Sequence, residues 1–385
     1  MDSFCPYIDK ALRFEFSTNQ DNDLVFRTRP CCHMHGGKFD NQYKKWQVCN
    51  TWQDLESHDN RLYFLDWQKN TDKLHDACHP CIEVEKHNPT KSPRFIFPKE
   101  TVLDYHILDV VVGNTCNLAC PFCAPNVSSL IEKITSGYKD RSKLPGKWSH
   151  DPEVNGNPSK VAKVVADFLK NRNIGELKII GGEPLLAENW TEIGKVIDQG
   201  LCSDTTLTFT TNGTVMNEKI IKNLKQVKDS KVTVSIDSIG SNYDFIRWPY
   251  KYNKVQQNVD YLIDQKPNST WVNVDGLVTI INFEFLPDII EEFKRWPSFS
   301  FMFDLKPDGS ELDYKVLSKD IINQVYKNIN FDNVKKQLEF TLDNYDDLNM
   351  SNLKSKTKNS LEWFLKQRRM DKTVLGENTL KYLGM

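Results

Sequence analysis

Short apolar runs alternate with amphipathic stretches through the middle of this 385-residue chain, between residues 104 and 310. The clearest amphipathic stretch, 159–171, places Val161, Val165 and Phe168 on one stripe and predicts a helix packed on a core. Strands that alternate with helices indicate parallel β/α units, and six strands fall short of a closed eight-unit barrel. Further helices are predicted near 189–197, 217–227, 253–263 and 287–293. The predicted strands are 106–112, 176–180, 205–210, 231–236, 271–281 and 298–305.

Polar motifs follow four of these strands, each at the point where the strand ends. In barrels built of β/α units, the carboxyl ends of the strands carry the chemistry. Each motif alone is a weak signal, whereas the agreement of four strand ends predicts a single site at this edge. The motifs are CNLACPFC at 116–123, GGEP at 181–184, TTNG at 210–213 and SIDS at 235–238.

The first motif brings three cysteines, Cys116, Cys120 and Cys123, onto one loop. Three thiolates are one ligand fewer than the four of a closed structural zinc site. A cubane iron–sulfur cluster held by three cysteines keeps one iron free to bind another molecule. Thiolates suit zinc and iron–sulfur clusters about equally in softness, so the spacing must decide. A zinc loop and a disulfide knot are the alternatives.

The CxxxCxxC spacing resembles the cluster loop of the radical S-adenosylmethionine (SAM) enzymes. The residue before the third cysteine, here Phe122, is often aromatic in that family. The resemblance implies a partial (β/α)6 TIM-like barrel of radical SAM type. It also implies a 4Fe–4S cluster on Cys116, Cys120 and Cys123, with the amino and carboxylate groups of SAM chelating the open iron.

Other positions resemble the SAM-binding residues of that family. Gly181-Gly182-Glu183-Pro184 resembles its GGEP motif, in which two glycines let the backbone approach a ligand and Glu183 would accept hydrogen bonds from the SAM ammonium group. Arg247 resembles an arginine that pairs with the SAM carboxylate, a task suited to a bidentate guanidinium. The alternatives are a glycine turn that caps a helix and a surface ion pair of Arg247. Contacts to the ribose and to the methionine part are implied for Thr211, Asn212, Ser235 and Asp237.

The segment before residue 104 is rich in cysteine, with a CxxC pair at Cys78 and Cys81 and a doublet at 31–32. Adjacent cysteines on a strand point to opposite faces, so at most one of the doublet should reach a given site comfortably. The arrangement resembles the twitch domain, a shorter relative of the SPASM domain, placed before the barrel as in N-terminal-twitch radical proteins. This resemblance implies a second, auxiliary 4Fe–4S cluster on Cys5, Cys31, Cys78 and Cys81, with Cys31 favoured over Cys32 because it follows Pro30.

A zinc module is the alternative for this segment, because His33, His35, His75 and His79 lie near the cysteines. Cys49 is not needed as a ligand, and we interpret it as a buried thiol.

The predicted domains are a twitch-like unit at 1–103, the partial barrel at 104–310 and a helical extension at 311–385, which we expect to close the open side of the barrel. The segment 137–158 has no periodicity and is interpreted as either a lid or an exposed insertion.

Composition and charge limit the classes of binding partner that we expect. A formal net charge of −2 gives no general attraction to nucleic acid or to an anionic membrane, so no large nucleic-acid footprint is expected. We find no apolar stretch long enough to span a bilayer. The first residues form no secretory signal, so the ten cysteines favour metal ligation in a reducing cytoplasm over a disulfide framework.

The resemblance implies a reaction as well as a fold. An electron from a reductant such as flavodoxin or ferredoxin would cleave SAM into methionine and a 5′-deoxyadenosyl radical, which takes hydrogen from a substrate carbon. We expect a peptide or protein substrate, although small-molecule relatives exist. The alternatives are a radical enzyme acting on RNA or a nucleotide-derived molecule, and a non-catalytic zinc-binding scaffold. We identify no general acid or base.

Overall fold

A computed structural model describes residues 5–19, 21–29, 46–88, 92, 102–149, 157–303, 311–345 and 353–385. Within these ranges the strands form one sheet, in the order β3-β2-β1-β4-β5-β6-β7-β8-β9. Each neighbouring pair from β4 to β9 is parallel. The strands are β1 Ala11–Thr18, β2 Leu24–Arg29, β3 Gln47–Val48, β4 Tyr105–Val111, β5 Ile174–Ile180, β6 Thr206–Thr211, β7 Asp229–Ser235, β8 Thr270–Leu277 and β9 Phe299–Met302.

The six strands predicted from the sequence are confirmed as β4 to β9, and each observed strand overlaps its predicted range. Their apolar side chains fill the main hydrophobic core together with the surrounding helices. Strand β8 ends before its predicted limit because a turn follows it, in which the Asn282 Oδ1 accepts the Thr279 N–H at 2.7 Å. Among the fully buried residues of these six strands are Val110, Leu177, Phe209, Val232 and Val274.

Helices connect the parallel strands, as the sequence predicts. The helix Pro158–Asn171 begins after Asn157, whose side chain accepts the Lys160 N–H at 3.1 Å, and it buries the predicted stripe of Val161, Val165 and Phe168. The helices are α1 Pro6–Lys10, α2 Gln53–Ser57, α3 Asp59–Asn70, α4 His79–His87, α5 Ser129–Thr135, α6 Pro158–Asn171, α7 Ala187–Asp198, α8 Glu218–Leu224, α9 Gly240–Ile246, α10 Tyr252–Gln265, α11 Leu286–Phe293, α12 Lys319–Asn328, α13 Asp332–Asp343, α14 Lys354–Arg368 and α15 Glu377–Leu383.

The N-terminal strands extend the same sheet. Strand β1 is parallel to β4, with Ala11 opposite Ile107 and Glu15 opposite Val111, and β2 returns antiparallel to β1. The sheet therefore continues across residue 103, where we predicted a domain boundary, and the division into 1–103, 104–310 and 311–385 stays a prediction. The aromatic residues that these strands add to the main core are Phe14, Phe16 and Phe26.

A second core forms where the C-terminal helices meet the loop that follows β4, which we call the β4 loop, residues 112–128. Trp148 is 2% exposed and packs against Trp363 and Phe364, with ring centroids 5.3 and 5.2 Å apart. The segment predicted as a lid or insertion is therefore packed inside at Trp148, while its residues 150–156 lie outside the described part. No helix among the described residues is both long and apolar enough to cross a membrane.

Candidate active site

The β4 loop brings its three cysteines together. The side chains of Cys120 and Cys123 are hydrogen-bonded to each other, which lowers the pKa of Cys120 and raises that of Cys123. Burial raises the pKa of Cys116 to about 12, and the nearby Cys120 adds to this shift. All three are free thiols, so each is available as a metal ligand.

This set of donors fits a cluster. In the described part of the chain, no three His, Cys, Asp or Glu side chains are arranged to hold one metal ion. A 4Fe–4S cluster takes one thiolate on each of three irons, so its ligands need not converge on a single point. The guanidinium of Arg247 acts on Cys116, Cys120 and Cys123 in the direction that favours the thiolate, the form that binds metals.

Two serines at the start of α5 hold the β4 loop. The hydroxyl of Ser128 donates to the carbonyl of Leu118 at 2.6 Å, and the hydroxyl of Ser129 accepts the N–H of Cys116 at 3.1 Å. Ser128 also caps α5 by accepting the N–H of Ile131. The helix that follows the loop therefore fixes the position of the cysteines.

The two glycines of the GGEP motif make room for the β4 loop. Gly181 has a φ of 126°, and a Cβ at this position would lie 2.5 Å from the carbonyl oxygen of Gly113. A Cβ at Gly182 would lie 2.3 Å from the carbonyl oxygen of Thr115. We expected these glycines to admit a ligand, whereas the close neighbour in the structure is backbone of the same chain. Their contact with SAM stays a prediction.

Glu183 is 1% exposed and accepts three hydrogen bonds from the chain itself. The donors are the Thr211 hydroxyl at 2.6 Å, the Asn212 N–H at 2.6 Å and the Leu185 N–H at 3.0 Å. Burial raises the pKa of Glu183, although these hydrogen bonds act in the opposite direction. A carboxylate offers about four acceptor positions, so one remains for the predicted ammonium contact.

Asn212, at the end of β6, is joined to the β4 loop. Its Nδ2 lies 3.8 Å from the Sγ of Cys116 and donates to Asn117 Oδ1 at 3.0 Å. Asn117 in turn donates to the Thr214 hydroxyl at 2.9 Å. The predicted positions Thr211 and Asn212 thus lie beside Cys116, one of the predicted cluster ligands, whereas no motif indicated the link between Asn117 and Thr214.

Arg247 and Asp237 form a buried ion pair, with Arg247 Nε 2.5 Å from Asp237 Oδ2. Asp237 Oδ1 also accepts the N–H of Leu277, the last residue of β8. The guanidinium lies 5.5 Å from the ring centre of Phe122, which brings three predicted residues together. We expected Arg247 to pair with the SAM carboxylate, and the structure gives it Asp237 as its partner, with Arg247 directly after α9 and Asp237 two residues after β7.

The remaining predicted positions lie at the same edge. Ser235 is the last residue of β7, half-buried, and stands opposite Asp275 in the parallel register. Pro184 is buried in the turn between β5 and α7. The structure therefore places the four predicted strand-end motifs at one edge of the sheet.

Sequence reasoning missed two side chains that hold the β4 loop from far along the chain. The Nε1–H of Trp148 donates to the carbonyl of Cys120 at 3.2 Å. The guanidinium of Arg368 donates to the carbonyl of Ala119 at 2.6 Å and also to the carbonyl of Phe245. Burial lowers the pKa of Arg368 to about 9. Arg368 ends a helix of the C-terminal extension, for which the sequence predicted only a role in closing the open side of the barrel.

The N-terminal cysteines form a separate group. Cys5 and Cys78 are both buried in one small cluster with Ile8 and Phe64, and Cys5 precedes α1 while Cys78 precedes α4. Cys81 lies in the first turn of α4 and is also buried. Cys31 and Cys32 lie outside the described residues, as do Pro30, His33 and His35.

Two histidines of the zinc alternative have other neighbours. His75 packs among aromatic rings, and its Nε2 lies 3.1 Å from the hydroxyl of Tyr63, while His79 pairs with Glu83 at 3.3 Å.

Cys49 is a buried thiol, as predicted. It lies in the main core, donates to the carbonyl of Thr51 at 3.6 Å, and has a pKa raised by burial to about 12.

The strand order and the three-cysteine loop define a class. Residues 110–291, from within β4 to within α11, match the family model described as the Radical SAM superfamily. The chain therefore contains a radical SAM domain, which covers a little under half of its length.

Among curated proteins, the chain is similar to a probable GTP 3′,8-cyclase of Methanocaldococcus jannaschii, with 28% identity over 48% of this chain and 53% of that protein. It is also similar to the radical SAM cyclopropyl synthase TigE of Paramaledivibacter caminithermalis, with 25% identity over 59% of this chain and 46% of that protein. The chain thus spans about half the length of these relatives. A crystal structure of Streptococcus suis SuiB bound to S-adenosylmethionine aligns with 82% of this chain and 67% of that chain, at 11% identity and a TM-score of 0.39.

Proposed function

We propose that this chain cleaves SAM reductively at a 4Fe–4S cluster held by Cys116, Cys120 and Cys123. The observation that carries the proposal is the grouping of three free thiols after β4, beside the buried guanidinium of Arg247. When bound, the cluster and SAM supply the radical chemistry, and the protein orients the substrate C–H bond and excludes water. A reductant such as flavodoxin or ferredoxin in the cytoplasm would supply the electron.

We also propose that SAM binds where the strand-end motifs meet. Glu183 joins Thr211 and Asn212 in one hydrogen-bonded network, and Asn212 reaches the Sγ of Cys116. A molecule bound to the open iron would therefore lie next to this network. The proposed SAM-binding residues are Phe122, Gly181, Gly182, Glu183, Pro184, Thr211, Asn212, Ser235, Asp237 and Arg247.

The test of the first proposal is the Cys120→Ala variant. After anaerobic reconstitution, the wild type is expected to hold about four irons from this site and to cleave SAM when reduced, and Cys120→Ala is expected to lose that cleavage. The matched control is Cys202→Ala, because Cys202 is a free thiol buried in the main core. Normal SAM cleavage by Cys120→Ala would contradict the proposal, and zinc in place of iron would leave the scaffold alternative.

For the N-terminal segment we propose an auxiliary 4Fe–4S cluster on Cys5, Cys31, Cys78 and Cys81. Its support is that Cys5 and Cys78 share one buried cluster although they are 73 positions apart in the sequence, with Cys81 one helical turn from Cys78. Four thiolate ligands leave no open iron, which favours electron transfer as the role.

Iron content distinguishes the two clusters. The wild type is expected to hold about eight irons and Cys78→Ala about four, with SAM cleavage partly retained and product formation lost. Cys49→Ala is the matched control, since Cys49 lies in the barrel core. About four irons with roughly one zinc in the wild type would contradict the auxiliary cluster and keep the radical domain.

We propose a peptide or protein as the substrate, supported by the twitch-like pattern of the N-terminal cysteines. A nucleotide-derived substrate is the second candidate, because one relative is named a probable GTP 3′,8-cyclase. Incubation with SAM, reductant and either GTP or a peptide mixture separates the two, with hydrogen loss from the substrate as the measured outcome.

A further inference from the structure

We propose that Arg368 is a positioning residue that holds the β4 loop and favours the reduced state of the cluster bound there. The inference rests on the proposed function, since it concerns the cluster at Cys116, Cys120 and Cys123. It adds a residue outside the matched domain, because Arg368 ends α14 and the family match ends at residue 291.

The contacts of Arg368 join three parts of the chain. Its guanidinium donates to the carbonyl of Ala119, which directly precedes Cys120, and to the carbonyl of Phe245 in α9. The rings of Phe245 and Phe364 flank the guanidinium, with their centres 4.8 and 4.9 Å from its central carbon. A fork with two fixed acceptors and two aromatic neighbours leaves the side chain a single position.

In the part of the chain that the structure describes, the charge of Arg368 has no carboxylate as its counter-ion. The side chain is only 7% exposed, and within the described residues no carboxylate lies within ion-pair distance of it. A buried cation is costly unless an anion compensates it, and Arg368 donates to the carbonyl of Ala119, the residue directly before Cys120. A thiolate-bound cluster would supply the missing negative charge.

The buried position of Arg368 affects how easily the cluster is reduced. One-electron reduction adds a negative charge to the cluster, and a fixed cation in a low-dielectric interior attracts the more negative state more strongly. Net charge and hydrogen bonding around such clusters are established determinants of their potential. Arg368 is therefore expected to raise the reduction potential of the cluster.

The test separates the charge from the hydrogen bonds. Arg368→Gln keeps amide donors without a charge, Arg368→Lys keeps the charge, and Arg369→Met removes the charge of the exposed neighbour. The measurement is a redox titration of the reconstituted proteins, monitored by electron paramagnetic resonance. Arg368→Gln is expected to shift the equilibrium between the oxidised and the reduced cluster at least tenfold toward the oxidised form. A tenfold shift corresponds to about 59 mV for one electron. Arg368→Lys and Arg369→Met are expected to stay within about threefold of the wild type.

Two outcomes would overturn the inference. One is a wild-type potential in Arg368→Gln, and the other is a shift in Arg369→Met as large as in Arg368→Gln. If Arg368→Gln takes up no iron, the iron content of Arg368→Lys decides. A normal iron content in Arg368→Lys supports the need for a positive charge at this position, and the absence of iron overturns the inference. If the wild type itself takes up no iron, the proposed function fails, which is a separate result.

Discussion

Replacing Gly182 by alanine tests how tightly the β4 loop is held against the GGEP motif. A Cβ at this position would lie 2.3 Å from the carbonyl oxygen of Thr115 and 2.7 Å from the carbonyl carbon of Asn114. Both neighbours are backbone atoms, so no flexible side chain can relieve the clash. The loop would have to move by about 1 Å to reach ordinary contact.

The expected losses of stability and rate follow from the contacts that this movement of the loop disturbs. The same Thr115 oxygen accepts the N–H of Glu183 at 2.7 Å, so moving the loop weakens this hydrogen bond as well. Overpacking costs about 1–3 kcal/mol, and a lost hydrogen bond adds about 1 kcal/mol. A misplacement of about 1 Å at a reactive site lowers the rate by about 100-fold.

Two assays measure these effects independently. Denaturant unfolding of the metal-free protein reports the loss of stability, and SAM cleavage by the reconstituted protein reports the misplaced loop. The matched control is Gly137→Ala, because a Cβ at Gly137 meets no heavy atom within 4 Å. Unfolding and cleavage of Gly182→Ala equal to those of Gly137→Ala would refute the reasoning.

Two further predictions concern buried carboxylates. Asp237→Asn leaves the buried Arg247 without its counter-charge and is expected to cost about 3–5 kcal/mol in urea unfolding, against less than about 1 kcal/mol for Glu291→Gln in an exposed pair. Equal losses in both variants would contradict this. For Glu183, burial raises the pKa above its ordinary value of 4.5, so the folded state binds the proton more tightly. The associated stability is full below pH 4.5 and is lost as the pH rises through the raised pKa, so wild-type stability should fall relative to Glu183→Gln across that window. A stability difference independent of pH would refute it.

The strands of the barrel were predictable because their signal is local. A parallel strand covered by helices appears as a short apolar run, and each of the six runs became a strand. The three-cysteine spacing is local as well, since Cys116, Cys120 and Cys123 lie within eight residues. The strand-end rule then placed four motifs at one edge without any knowledge of their contacts.

The partners of the site residues could not be predicted, because they depend on contacts between distant segments. Arg368 reaches the carbonyl of Ala119 across 249 positions of sequence, and Asn212 reaches Asn117 across 95. The pairing of β1 with β4 joins residues that are 96 positions apart, such as Ala11 and Ile107, and nothing in either strand specifies the other. Periodicity indicates which face of an element is buried, and leaves open what covers it.

The parallel pairing of β1 with β4 sets the distance between the two groups of cysteines. Cys5 lies one five-residue helix, about 8 Å, before the amino end of β1, whereas Cys116 follows the carboxyl end of β4. Strand β4 has seven residues and spans about 23 Å, and Cys116 follows its far end. A substrate bound at the β4 loop therefore lies at the opposite edge of the sheet from the strand end that Cys5 precedes.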